Sequence, residues 1–286
     1  LRLRLRPAQG VTSGERLRWY SIEMNETNDT NPTLISSTSI DLRNMALSPQ
    51  DLMSQDFNAS HLTSLLLSHC QLKVFPMAIS SCFNLRVLLL SNNLLQCIPT
   101  SIAHLHKLTF LGVDNNQLSS FPNVSLTSLK ILEASNNDLC NGSSRWPLPE
   151  FPALEQLAIR NNNITTIYRH GTYPNLLELD ISNNGIHRVP VDFYRLKRLA
   201  VCCNNIESLP LEKWRSITST SVVDFGLISL LVGSNPMNEC HLQALALFVH
   251  DVRRKRASAE NRNDGFFICD LWIELELGTP ITITCE

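Results

Sequence analysis

One pattern of leucines and asparagines recurs along most of the chain and limits what it can fold into. The pattern L-x-x-L-x-L-x-x-N-x-L occurs eight times in register, and successive copies begin 20 to 25 residues apart, except for one spacing of 31. The copies begin at Leu62, Leu85, Leu108, Leu129, Leu154, Leu176, Leu196 and Leu227. A degenerate copy at 40–47 is predicted to open the array. One copy alone cannot bury its apolar residues, so the copies must stack.

The spacing within each copy predicts its local structure. The L-x-L alternation has the period of two of a β-strand, so its leucines face one side. Stacked copies then form a parallel sheet with strands about 4.8 Å apart. The asparagine falls where the chain leaves the strand, and a buried amide there can hydrogen-bond to the adjacent copy. A structural ladder is therefore predicted for Asn93, Asn116, Asn137, Asn162, Asn184, Asn204 and Asn235.

This repeat resembles that of the leucine-rich-repeat family, over about 200 of the 286 residues. The resemblance implies an α/β fold, a solenoid whose curved parallel sheet lines the concave face. Apolar-proline pairs such as Ile98-Pro99, together with a short helical turn at 100–106, fit an irregular, short-helical convex side. About nine coils are expected.

Three segments follow from this organisation. Residues 1–36 form a polar, partly disordered N-terminal flank, 37–238 the repeat array, and 239–286 a C-terminal cap. The spacing of Leu242, Leu245, Val249 and Val252 predicts an amphipathic capping helix. Strict alternation in 271–285 around Gly278-Thr279-Pro280 predicts a β-hairpin after it. The basic run Arg253–Arg256 is interpreted as a solvated helix end; a convertase site, a nuclear address and a phosphorylation site at Ser258 stay open.

Charge and cysteines bear on partner and compartment. With 24 basic and 26 acidic residues the net charge is −2, which favours neither nucleic acid nor anionic membrane as a partner, and no apolar stretch predicts a membrane span. The chain has nine cysteines, but it lacks the N-terminal cysteine cap that many extracellular family members have. It also lacks the pair of cysteines that is usual in the family's C-terminal cap. That difference favours a cytoplasmic location, although six N-x-S/T sequons leave an extracellular one open; they begin at Asn25, Asn28, Asn58, Asn123, Asn141 and Asn163.

No catalytic residue, metal site or cofactor is predicted. The stretch from Cys140 to Arg145 has one residue too few for a phosphatase signature, and His104 and His106 lack further ligands at metal spacing. The vicinal pair Cys202-Cys203 is interpreted as two free thiols.

The candidate site is the concave face, where residues between the buried leucines project. An apolar strip there adjoins an acidic patch, which suggests a protein partner with a basic segment, and Phe110 and Arg160 are candidate anchors. The predicted partner-binding residues are Leu66, Val87, Leu89, Phe110, Asp114, Ile131, Glu133, Arg160, Glu178, Asp180 and Arg198.

The expected function is a non-catalytic protein-interaction module in signalling or scaffolding. Two alternatives remain at this point. The chain could be the recognition segment of a larger enzyme or receptor, such as a kinase, phosphatase or ligase, or it could be a secreted recognition ectodomain. The sequence gives no indication of oligomeric state.

Overall fold

The computed structural model describes residues 35–36, 38–45, 61–140, 145–146, 151–167, 173–189, 196–220, 229–260 and 272–274. All of these belong to Leu34–Glu286, one of the two units into which the chain divides. The predicted N-terminal flank therefore lies almost wholly outside the described residues.

One sheet of short strands runs through the described residues. A two-residue strand, β1 (Ile35–Ser36), pairs antiparallel with β2 (Ser39–Asp41), and every later pairing in this sheet is parallel. The following strands are β3 (Ser64–Leu66), β4 (Val87–Leu89), β5 (Phe110–Gly112), β6 (Ile131–Glu133), β8 (Gln156–Ala158), β10 (Glu178–Asp180), β11 (Arg198–Ala200), β12 (Ser229–Leu231) and β13 (Trp272–Glu274). A separate parallel pair joins β7 (Arg145–Trp146) to β9 (Thr166–Ile167).

The strands keep one register, because each repeat supplies the same three positions. In the central strands the middle residue, such as Leu88, Leu111 or Leu132, is paired with its equivalent in the next coil and is fully buried. Each buried leucine contributes roughly 1.5–3 kcal/mol to the free energy of folding. The repeated leucines therefore form one continuous core along the array.

Irregular backbone and short 3₁₀ helices close the coils on the convex side. Two such helices, Met77–Ser81 and Thr100–His104, each follow a proline that is their N-cap and that cannot donate a hydrogen bond. Each inserts one isoleucine, Ile79 or Ile102, into the core. The short helical turn predicted after Pro99 is thus present as a 3₁₀ helix.

The spacing of 31 residues before Leu227 contains an α-helix that the repeat pattern did not predict, α1 (Leu211–Thr220). It packs on the capping helix α2 (Glu239–Glu260), where the rings of Trp214 and Phe248 lie 6.0 Å apart. The apolar face of α2 buries Leu245, Val249 and Val252, so the predicted C-terminal amphipathic helix is confirmed.

The end of the chain differs in part from the sequence prediction. Residues Trp272–Glu274 form a strand, but it extends the main sheet in parallel to β12. The rest of the predicted hairpin lies outside the described residues. The run Arg253–Arg256 lies within α2, which continues one turn further to Glu260.

Candidate functional site

The concave face is built from three columns of residues, one from each outward position of the repeat. In a strand, successive side chains point to opposite sides of the sheet, so the first and third strand residues project away from the core. We call these the first and third columns. The exit column follows the last core residue of each coil and includes Ser91, Asp114, Ser135, Arg160 and Ser182.

The apolar part of the face lies on β3 to β6 and is less exposed than the sequence suggested. Val87, Leu89 and Ile131 are half-buried, whereas Leu66 and Phe110 are only 3% exposed. Gly112 explains part of this burial. A Cβ atom there would lie 2.8 Å from Leu89 Cδ2 and 3.3 Å from Phe110 Cε1, so both side chains occupy the space above the glycine. Phe110 is thus not the protruding anchor that the sequence indicated.

Three carboxylates occupy the centre of the face without an ion pair among the described residues. Burial, together with the neighbouring Asp114 carboxylate, raises the pKa of Glu133 to about 7. Burial also raises the pKa of Asp180, although hydrogen bonds from Ser182 and the charge of Arg160 oppose that shift. Asp114 accepts hydrogen bonds from the Ser91 hydroxyl and from the amide of Asn115. The centre of the face is therefore rich in hydrogen-bond acceptors and negative charge.

The acidic patch ends at an ion pair. Arg198 Nη1 lies 3.1 Å from Glu178 Oε1, and both side chains are half-buried. Burial raises the pKa of Glu178, and Arg198 opposes that shift. The other carboxylate oxygen, Glu178 Oε2, and the neighbouring Gln156 Oε1 are buried without a donor in the part of the chain that the structure describes.

The asparagine ladder hydrogen-bonds the coils to one another. Asn162 is representative: its Nδ2 donates to Ala134 O of the preceding coil at 3.1 Å and to Ile159 O of its own coil at 3.0 Å. Its Oδ1 accepts from Leu139 N at 3.1 Å. In the first strong copy, where the pattern has a cysteine, the Cys70 thiol donates to Leu42 O at 3.0 Å.

A second column of residues, most of them asparagine, stands directly before the ladder and was not predicted from the sequence. Its residues have left-handed backbone; they are Asn44, His69, Asn92, Asn115, Asn136, Asn161, Asn183, Cys203 and Ser234, with φ from 53° to 64°. Asparagine tolerates this conformation better than other residues with a side chain. The repeated Asn-Asn pairs at 92–93, 115–116, 136–137, 161–162 and 183–184 were the available signal.

The cysteines and histidines considered for catalysis lie in different coils of the array. Burial raises the pKa of the Cys140 thiol to about 11, the opposite of what a nucleophilic cysteine requires. His104 is exposed at the end of a 3₁₀ helix. Cys202 and Cys203 form no disulfide among the described residues. Over the described ranges, no three histidine, cysteine or acidic side chains are grouped as a metal site would require.

Comparisons with known proteins agree with this architecture. A family model described as leucine rich repeat matches residues 60–118. The leucine-rich repeat domain of APL1B is similar in structure, with a TM-score of 0.53 and 21% identity over 68% of this chain and 53% of that one. YopM, a leucine-rich effector protein from Yersinia pestis, has a TM-score of 0.53 and 25% identity over 70% of this chain and 50% of that one.

A third similar structure is TLR13 in a complex with ssRNA13, with a TM-score of 0.50 and 26% identity over 62% of this chain and 26% of that one. The chain thus spans about half the length of the first two proteins, and less of the third. A comparison with curated proteins gives no match.

These findings define the class. Residues 60–118 match the leucine rich repeat family, and the described residues form a parallel-sheet solenoid with a C-terminal helix, the fold of leucine-rich-repeat proteins. The fold is a general protein-interaction module, and its family members are generally non-catalytic recognition domains. None of the described helices is long and apolar enough to cross a membrane.

Proposed function

We propose that this chain is a non-catalytic recognition module that binds a protein partner through the concave face, in a signalling or scaffolding role. The contact surface comprises the half-buried apolar residues Val87, Leu89 and Ile131 together with the acidic centre around Arg160. Residues 1–36 and 239–286 act as the flank and cap of the array in this proposal.

The uncompensated acidic centre is the observation that carries the proposal. The charge of Arg160 acts on Asp180, whereas Glu133 has the Asp114 carboxylate as its charged neighbour, and burial raises the pKa of both Glu133 and Asp180. A cationic side chain from a partner would restore the charged form of both and add charge-assisted hydrogen bonds. A basic segment supplies both the positive charge and the hydrogen-bond donors.

Site-specific photo-crosslinking tests which face the partner contacts. A photo-reactive amino acid replaces Ile131 on the concave face in one variant and the exposed His104 on the convex side in the control. Both variants are expressed in the native cell type and irradiated, and the crosslinked species are identified by mass spectrometry. We expect a discrete crosslinked protein from position 131, and its contact peptide to be rich in lysine and arginine.

Charge variants give a second, independent readout of the same proposal. Asp114→Asn with Asp180→Asn should weaken binding of the identified partner about tenfold or more, whereas Glu207→Gln on an exposed loop should leave it unchanged. Crosslinks only from position 104, or a contact peptide without basic residues, would contradict the proposed mode of binding.

A further inference from the structure

A polar groove lies at the rim of the array, where the chain leaves the sheet. We call it the rim groove; its volume is about 680 Å³, and it spans four successive coils. Its lining includes Gln96, Gln117, Ser119, Asn136, Asp138 and Asn161. The ladder residues Asn116 and Asn137 complete it. No residue of the concave columns is among the described residues that line it.

Hydrogen bonding within the groove leaves several groups available. Asn116 and Asn137 are committed to the ladder, and the Asn161 amide donates to Asn136 Oδ1 at 2.9 Å. In contrast, the side chains of Gln96, Gln117 and Ser119 have no hydrogen-bond partner among the described residues. The groove therefore presents two amides and a hydroxyl, each of which can both donate and accept.

The chemistry of the lining restricts the class of ligand. None of the described residues that line the groove is cationic and one, Asp138, is acidic, so they offer nothing that would neutralise a phosphate backbone. These described lining residues are all polar, so they form no apolar or aromatic pocket to anchor the side chains of a peptide. Amides and hydroxyls in a row match a ligand whose surface alternates hydroxyl donors and acceptors. One coil before Gln117, the equivalent position holds Leu94, which is 38% exposed and offers an apolar surface for C–H groups.

We propose that the rim groove binds a neutral carbohydrate chain. Its polar groups repeat from coil to coil at the strand spacing of about 4.8 Å, so an oligosaccharide lying across the coils would meet similar groups along its length. The side chains of Gln96, Gln117 and Ser119 hydrogen-bond to its hydroxyls, and Leu94 contacts its apolar ring face. This site goes beyond the concave-face function and does not depend on it.

The test uses the whole chain and a panel of neutral oligosaccharides, namely cellohexaose, maltohexaose and chitohexaose. Binding is measured by isothermal titration calorimetry and by saturation-transfer NMR. The groove variant combines Gln117→Ala with Ser119→Ala. The matched control combines Asn205→Ala with Glu207→Ala, because these exposed residues hold the same two positions relative to the ladder residue Asn204.

We expect at least one oligosaccharide to bind, and the groove variant to weaken it about tenfold, since each lost hydrogen bond costs a factor of roughly two to ten. The control should stay within about twofold of the wild type. Thermal unfolding verifies that both variants are folded. The proposal is overturned if no oligosaccharide binds with a dissociation constant below about 10 mM, or if the groove variant and its control bind equally. An extended peptide whose binding is lost in the groove variant, with no oligosaccharide bound, overturns it too.

Discussion

At the residue scale, the positions that constrain this fold most are the two asparagines at the end of each strand. The first has left-handed backbone, and the second donates and accepts hydrogen bonds between coils. A residue other than glycine, asparagine or aspartate in left-handed backbone costs roughly 1–2 kcal/mol. Coils with asparagine at the left-handed position avoid this cost, whereas the coil with Cys203 at that position does not.

Cys203→Asn is therefore expected to stabilise the protein. Cys203 is exposed, has a φ of 53°, and follows Asn161 and Asn183 in a column whose amides are hydrogen-bonded. The asparagine should raise the free energy of unfolding by about 0.5–1 kcal/mol, measured by urea denaturation under reducing conditions. Cys97→Asn is the control, because Cys97 is exposed but does not have left-handed backbone. Equal effects of both variants would contradict this account.

The ladder makes the opposite prediction. Asn162→Ala removes the three hydrogen bonds that the amide donates to backbone oxygens and leaves the buried Leu139 N–H without its acceptor. An unsatisfied buried backbone group costs about 1–3 kcal/mol, so the variant should lose about 2–4 kcal/mol of stability. The exposed neighbour Asn163→Ala, which loses only a bond to Asp138, should lose less than about 1 kcal/mol. Similar losses in the two variants, measured by urea denaturation, would show that the ladder is not structural.

At the scale of elements, the packing of the cap on the last coils depends on a neutral histidine. Leu209 N donates to His241 Nε2 at 2.8 Å, so α2 is hydrogen-bonded to the segment that leads into α1. Arg215 on α1 donates in turn to Ala244 O on α2. Burial lowers the pKa of His241, which keeps its Nε2 unprotonated and able to accept.

Lowering the pH should therefore weaken the packing of α2 on the last coils. A histidine with a lowered folded-state pKa contributes stability that is present above its unfolded pKa of about 6.5 and is lost as pH falls below it. His241→Gln replaces the titrating acceptor with a neutral one and should flatten the dependence of melting temperature on pH between 7.5 and 5.5. His250→Gln, an exposed change on the same helix, should keep the wild-type slope. A wild-type slope in His241→Gln would rule out this role.

The elements also show what the sequence could and could not predict. The strands, the parallel sheet and α2 were predictable, because each follows from a periodicity that local burial enforces. Helix α1 was not, since its β-branched and serine-rich end has low helix propensity and its packing depends on Phe248, more than 30 residues away. The burial of Phe110 was missed because it depends on the shape of Gly112 and not on polarity. The partner-binding role of the concave face stays a prediction.

At the scale of the whole molecule, the feature that most distinguishes the concave face is its negative charge. The net charge is only −2, yet three carboxylates without an ion pair among the described residues lie on the concave face between β5 and β10. Stability and binding should then respond to pH in opposite directions. Glu133, whose pKa is raised to about 7, favours the folded state when protonated and opposes it when charged, whereas a cationic partner favours the charged form.

Glu133→Gln separates these two effects. The contribution of Glu133 to wild-type stability should fall as pH rises from about 4.5 to about 7, because the folded protein holds the proton of Glu133 more tightly than the unfolded chain does. The variant lacks this term and should be more stable than the wild type by about 1–3 kcal/mol at pH 8, measured by urea denaturation. Affinity for a basic partner should rise from pH 6 to pH 8 in the wild type and much less in the variant. Glu207→Gln, an exposed control, should reproduce the wild-type dependence of both stability and affinity on pH. If Glu133→Gln reproduced both as well, the acidic centre would be neither destabilised by burial nor used in binding.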